Sequence, residues 1–345
     1  RGTADLILDR QVCSFAKSSQ RSKVHRPAYY DYILIKEFDE QGEVDTEHRF
    51  KGLYTSSVYY RAALDIPMVR KKVRAVLDRS GFSPNGHSIK DLQQVINVFP
   101  RDELFQMSTD QLFSTAIGIT QIQETRTCKL YIRRDSYGKF FSCLVYVPRE
   151  NYTTKMRLKI QEFLTERLRA TELEYNIYLS ESILARVHLV LRVPNIHQVK
   201  YDQMELENSL VELVKPWEDY FLEALEKRYT EEEARQRYDA YANCFPAAYK
   251  DAYSGAQAVT HTQHLADVVT QRKLILDLEP CRSESGAELS FKIFSLGKQL
   301  TLSDVDPIIE NLGLYIISEK TFKLYPDAGL TTDGEGVGTV WLHDF

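Results

Sequence analysis

Between Arg126 and Pro148 polar and apolar residues alternate, which only an extended chain can use by sending one set to each face of a sheet. Cys128, Leu130 and Ile132 alternate with Lys129, Tyr131 and Arg133. Asp135-Ser-Tyr-Gly138 supplies turn chemistry, and Phe141, Cys143, Val145 and Val147 resume the alternation until Pro148 stops it. A β-hairpin is predicted here, at the head of a βαβ-type module. The period then becomes helical, with Met156, Ile160, Phe163, Leu164 and Leu168 on one stripe, before two more alternating strands, Leu173 to Leu179 and Ala185 to Val193. Composition and spacing alone yield a soluble, modular α/β chain.

In front of this module, Tyr29 to Phe38 and Glu47 to Tyr54 read as a second hairpin turning at Asp39-Glu-Gln-Gly42. The preceding run from Ser14 to Pro27 is rich in hydroxyl and basic side chains, and reads either as a solvated loop or as a cradle for an anion. A helical period opens near Pro67, with Val69, Val73, Val76 and Leu77 on one face, and stops at Gly81; Arg70, Lys71, Lys72 and Arg74 on the other side read as solvated surface or, less simply, as a phosphate site. Ser88-Ile-Lys-Asp91 resembles a capping box, and Ser108-Thr-Asp-Gln111 opens a further helix in the same way.

Residues 203–272 read as almost wholly helical, broken at Pro216 and reopened at Thr230-Glu-Glu-Glu233. Tyr220, Tyr229, Tyr238, Tyr241, Tyr249 and Tyr253 at helical spacing read as core or subunit-interface contacts. His261 and His264 lack a third ligand at metal-binding spacing. Strand patterning returns at Leu274 to Leu278 and Leu289 to Phe294. A helix from Ser303 to Leu312 follows, then a strand from Leu314 to Ile317 continuing to Leu324. Asp333-Gly-Glu-Gly-Val-Gly338 precedes a strand and not a helix, so it reads as a hairpin turn and not a dinucleotide loop.

One row of residues is a candidate binding group. Arg186, His188 and Arg192 share the strand face opposite Val187, Leu189 and Leu191; this row reads as a solvated face, a face covered by a partner, or a carboxylate site. No phosphate loop, nucleophile elbow, zincin or kinase signature occurs.

At 345 residues two or three small domains are expected, and 43% hydrophobic content suffices for their cores. A net charge of -5 without single-sign blocks argues against nucleic acid, and the lack of a long apolar run against a membrane. Five scattered cysteines fit reduced thiols in a cytoplasmic protein. Starting at Arg1 and stopping within strand patterning at Phe345, the chain is expected to be a segment of a longer one.

Three strings carry a resemblance. Cys13-Ser-Phe-Ala-Lys-Ser with Val24-His-Arg-Pro27, Phe50-Lys-Gly-Leu-Tyr-Thr-Ser56, and Pro100-Arg-Asp-Glu-Leu-Phe-Gln106 with the run from Phe141 to Arg149 resemble the large-type bacterial NAD-dependent glutamate dehydrogenases. The resemblance extends through Trp341 to Phe345. It implies an α+β fold of tandem ACT-like and PAS-like (ferredoxin-like) modules with antiparallel sheets, joined by helical segments: a PAS-like hairpin module with its helix over 1–85, a helical connector over 86–125, an ACT-like module over 126–202, a helical spacer over 203–272, and a second ACT-like module over 273–345, truncated at its C-terminal end.

It further implies a regulatory and assembly piece without catalytic residues or bound cofactor. NAD and glutamate chemistry would lie in a downstream catalytic domain of the same chain, with a homo-oligomer, tetramer or hexamer, and amino-acid effectors as partners. Leu296, Gly297 and Lys298 correspond to the ACT loop whose amides receive a carboxylate. The last module is expected to stop before its second helix and final strand. In the central module the strand Cys128 to Arg133 is expected to take the place of a missing final strand. A scaffold that binds no ligand, and a stand-alone sensor, are the competing expectations.

Overall fold

A computed structural model describes residues 11–24, 28–122, 125, 127–180, 182–283, 286–326 and 338–345, with side chains left aside at 281–288. The chain divides into two compact units, Arg1–Val214 and Lys215–Phe345.

The first unit opens with β1 (Cys13–Arg21), β2 (Tyr29–Phe38) and β3 (Val44–Gly52), an antiparallel sheet in that order. The run read as a loop is therefore largely a strand, pairing Cys13 with Ile35 and Lys17 with Asp31. Its polar residues escape the apolar alternation rule because they are buried as polar groups: Ser14, Lys17 and Ser18 are all inside, and the Lys17 ammonium holds Asp31 and Asp102 at 2.9 and 2.8 Å. The short α1 (Ser56–Tyr60) leads to α2 (Val69–Ser80), α3 (His87–Asn97), α4 (Arg101–Gln106) and α5 (Thr109–Ile122). These share one apolar cluster, including Val73, Leu92, Phe99, Leu104 and Ala116.

Helix α3 starts at His87 behind an uncapped Gly86, so Ser88 lies inside it and the expected capping box is not used. The box at Ser108 forms, with amide and side chain of Ser108 and Gln111 exchanging bonds of 3.0 and 3.1 Å. Lys72 is not free surface. Its ammonium donates to the carbonyls of Leu104 and Phe105 at 2.8 and 3.2 Å and to that of Met107, closing the C-terminal end of α4.

The second sheet contains β4 (Lys129–Arg134), β5 (Phe140–Pro148), β6 (Glu172–Tyr178) and β7 (Leu184–Arg192) in the order β4-β5-β7-β6, all antiparallel. Helix α6 (Thr154–Arg167) follows β5, and α7 (Gln203–Val214) follows β7. The leading strand β4 thus occupies the sheet edge beside β5, the place expected for it in lieu of a missing final strand. Leu130, Val145 and Val187 form a cross-strand row on one face, packed with Ile160 and Leu164 of α6 and Leu206 and Leu210 of α7. Helix α7, expected in a spacer, belongs to this sheet because its apolar stripe is the cover for β4.

The opposite face of this sheet is covered too. Every residue of β5 is buried, and Leu144, Tyr146 and Leu184 join the cluster of α2–α5.

The second unit begins with α8 (Trp217–Glu226), α9 (Glu231–Tyr241), α10 (Ala247–Ala252) and α11 (Gly255–Gln271). Pro216 caps α8. Thr230 with Glu233 and Ser254 with Gln257 form capping boxes at α9 and α11, the second unforeseen. Tyr241, Tyr249 and Tyr253 are core residues, whereas Tyr220 is exposed.

The sheet of this unit is β10 (Lys320–Leu324), β11 (Val340–Asp344), β9 (Gly286–Leu296), β8 (Ile275–Ser283), antiparallel in that order. A row of Phe322, Leu342, Phe294 and Ile275 runs across it and packs with Leu265 and Val268 of α11. Helix α12 (Leu302–Asn311) covers the other face through Val305 and Ile309 against Ile293. Among the described residues no second helix or further strand follows β11, and β8, the first strand of the module, takes the fourth place in the sheet beside β9. Residues Leu314 to Ile317 are not a strand; after Gly313, with φ +77°, pairing resumes only at Lys320. The Asp333 to Gly338 run lies outside the described residues except for Gly338.

Candidate functional site

The face of the β4–β7 sheet turned away from α6 and α7 carries the alternate residues Tyr131, Arg133, Ser142, Arg186, His188 and Arg192, and Glu174 of β6 pairs across to Val190. A solvated reading of the Arg186–His188–Arg192 row is overturned, because all three are buried. The cover comes from this chain's own β1–β2 and from the α3–α4 junction.

Most of this face is internally satisfied. Glu103 of α4 accepts two bonds from the Arg133 guanidinium, at 2.6 and 2.7 Å, and Gln106 accepts a third at 3.0 Å. Although burial acts to raise it, the Arg133 guanidinium holds the Glu103 carboxyl below its ordinary range. His188 bonds Ser142 at 2.9 Å, and burial pushes its imidazole down to about 4, so it is neutral near pH 7. Arg192 donates to the Ser18 carbonyl at 3.0 Å and lies 3.2 Å over the Tyr29 ring.

A second group of polar side chains is only partly satisfied. Arg101, Asp102, Arg186 and His188 line a cavity of about 560 Å³ together with Lys17, Asp31, Tyr175 and Tyr178. Arg186 donates to the Val98 carbonyl at 2.6 Å and Arg101 to that of Arg61 at 2.9 Å. The Arg101 Nη1, the Arg186 Nε and the Asp102 Oδ1 are buried without a hydrogen-bond partner. Arg101 is 9% and Arg186 7% exposed. Burial, reinforced by the nearby Arg186, draws the Arg101 guanidinium below its ordinary range, and burial lowers Arg186 in the same direction. Both guanidiniums line this cavity without an ion pair of their own among the described residues, and the carboxylates of Asp31, Asp102 and Glu174 line it with them.

The other predicted set is not so disposed. Gly297 sits at φ +75°, where glycine is favoured, but its amide donates to the Thr339 carbonyl at 2.7 Å and the Lys298 amide to the Leu296 carbonyl at 2.9 Å. Leu296 packs against the α11 side of its sheet. The loop's amides are thus committed to backbone, leaving Leu296, Gly297 and Lys298 no carboxylate cradle. His261 bonds the Tyr249 hydroxyl at 2.6 Å, and His264 lies 3.5 Å from Asp277. Among the described residues no group of three or more His, Cys, Asp or Glu could hold a metal, and no helix is long and apolar enough to cross a membrane.

The Arg186 and His188 positions were legible as one strand face, and Lys17 as part of the run read as a loop or anion cradle; Arg101 and Asp102 were not assigned to any site. Pro100 marked only a helix boundary, and nothing local signals that the two residues after it meet a strand more than eighty positions later.

The sequence was compared with protein families and with curated proteins. Family models match as the helical motif 1 of glutamate dehydrogenase over residues 66–125, its ACT2 domain over 129–218 and its ACT3 domain over 275–345. The NAD-specific glutamate dehydrogenase of Halomonas elongata is 41% identical over 335 residues, which is 97% of this chain and 20% of the relative. That of Pseudomonas aeruginosa is 40% identical over 334 residues, again 97% and 20%. The Mycobacterium tuberculosis protein of the same name is 27% identical over 350 residues, 98% and 20%. The chain therefore spans about a fifth of the length of the relatives it matches.

Proposed function

We propose that this chain, a regulatory ACT-containing segment belonging to the NAD-specific glutamate dehydrogenases, senses a free amino acid and biases a catalytic domain carried elsewhere on the same polypeptide. In the whole protein, L-glutamate, NAD and water would give 2-oxoglutarate, ammonium and NADH. On this reading the segment itself supplies none of that chemistry and holds no cofactor. The front β1–β3 sheet is taken as PAS-like, and the two four-stranded sheets as ACT modules.

The observation that carries the reading is the covered polar face of the β4–β7 sheet, where charges meet from the front sheet, the helical motif and the ACT module. A ligand there would touch all three elements. Its differential affinity for two arrangements of them would shift their populations, which is the form any effector coupling must take.

A second reading, a scaffold for self-association, is favoured by a separate feature. Leu276 and Leu278 on the edge strand β8, and Leu289 on β9, are exposed apolar residues, with Leu276 at 58%. An edge strand with an apolar face is a ready surface for a second copy.

The non-catalytic part of the proposal is tested by spectrophotometry of NADH with the chain, glutamate and NAD. The expected rate equals that of a mock preparation; a rate well above it would contradict the assignment.

A further inference from the structure

Helix α4 is six residues long and follows Pro100 without a side-chain cap, too short to hold its own geometry in water. Its neighbours hold it. The Lys72 ammonium of α2 closes its last carbonyls, and Arg101 donates to the Arg61 carbonyl. Between these ends, two consecutive carboxylates hold cations from two different sheets. Asp102 takes Lys17 of β1 at 2.8 Å, and Glu103 accepts both bonds of Arg133 of β4, at 2.6 and 2.7 Å.

The front sheet also meets the β4–β7 sheet directly. Arg192 of β7 donates to the Ser18 carbonyl at 3.0 Å, the Tyr29 hydroxyl donates to Glu172 of β6, and Lys139 before β5 donates to the Lys17 carbonyl at 3.2 Å. Strand β4 lies at the opposite edge from β6. Asp102 and Glu103 of α4 join that edge to Lys17.

We propose that α4 is a coupling link, through which a displacement of the front sheet is passed to the β4 edge of the ACT module. Neighbouring residues of a helix are about 100° apart and belong to one rigid turn. Asp102 therefore cannot follow Lys17, or turn to water once Lys17 has gone, without carrying Glu103 with it. The Glu103 and Arg133 side chains are 3% and 7% exposed, and a two-bond pair at that depth resists such a rotation because each charge left unpaired is costly. Lys72 fixes the far end, so the motion is a pivot about the C-terminus of α4. The link rests on the regulatory reading and supplies it with a path, and as a coupling free energy it acts equally in both directions.

The test is hydrogen–deuterium exchange of the chain, read by mass spectrometry, with the interior strand β7 of the same sheet as the reference. Lys17→Met and Asp102→Asn are each expected to speed exchange in β4 at least about fivefold more than in β7. Asp31→Asn removes the other partner of Lys17 and keeps the Asp102 bond, so it should speed β1 and β2 and leave the ratio of β4 to β7 unchanged. In the reverse direction, Glu103→Gln is expected to speed β1. A β4 that speeds no more than β7 in Lys17→Met and Asp102→Asn would overturn the link, as would a β4 that responds equally to Asp31→Asn or a β1 that ignores Glu103→Gln. Circular dichroism checks folding. Where the variants fail to fold, the wild type in rising urea decides: β1 and β4 are expected to open together and ahead of β7, and separate openings would overturn the proposal. Exchange needs no ligand, so failure of the link would leave amino-acid sensing standing, and failure of sensing would leave the link standing.

Discussion

The buried charges of the first unit are of two kinds. Glu103 with Arg133, and Lys17 with Asp31, are matched pairs at 3% and 7%, and 9% and 5%, side-chain exposure, and such pairs fix relative position at a desolvation cost. Arg101 and Arg186 are unmatched. His188 stands between these groups and yields a pH prediction. Its folded pKa of about 4 lies below the ordinary 6.5, so as pH falls below 6.5 the unfolded chain gains a proton that the folded chain refuses. Stability is lost on that descent, by about 2 kcal/mol at pH 5 for this one group. His261, held at about 3 by burial, acts with the same sign. Urea titrations at pH 7.5 and pH 5 check this: His188→Gln should narrow the difference between the two by about 2 kcal/mol, and an unchanged difference would contradict a neutral buried His188. At this scale the sequence was informative about faces and uninformative about meetings. Alternation along β7 placed Arg186, His188 and Arg192 together, but the partners that turned two of them into cover contacts, Ser18 and Val98, are far away in the chain.

The two ACT sheets share an order, β4-β5-β7-β6 and β8-β9-β11-β10. In each, a strand that precedes the βαββ core pairs antiparallel with its first strand, so a short connection completes a four-stranded sheet. The hairpin, helix and paired strands of the central module were legible because apolar residues keep one period over each element. Strand β1 was hidden because three of its four buried residues, Ser14, Lys17 and Ser18 beside Ala16, are polar, and for these periodicity has no signal. Helix α7 was visible as a helix, yet its allegiance to β4 depends on packing that no local pattern contains. Helix crossing supplies a prediction. A Cβ on Gly255, the first residue of α11, would come within 2.5 Å of the Phe221 amide nitrogen and 2.7 Å of its Cα in α8. Backbone cannot yield as a side chain can. Gly255→Ala should therefore cost about 1–3 kcal/mol, read as a lower thermal midpoint of the second unit, despite alanine's higher helix propensity. A neutral or stabilising outcome would contradict this close approach of α8 and α11.

For the molecule as a whole, sensing requires that a ligand bind the folded chain, and assembly requires that copies of it associate; the two leave different marks on unfolding. A ligand present at about 100 times its dissociation constant adds about 2.7 kcal/mol to stability, whereas self-association makes the midpoint depend on protein concentration. The most direct measurement is thermal unfolding of this chain against the twenty amino acids at two protein concentrations. The sensing account predicts that at least one amino acid raises the midpoint by a few degrees at both concentrations. A midpoint that no amino acid moves, rising only with protein concentration, would contradict it and leave the scaffold reading in its place.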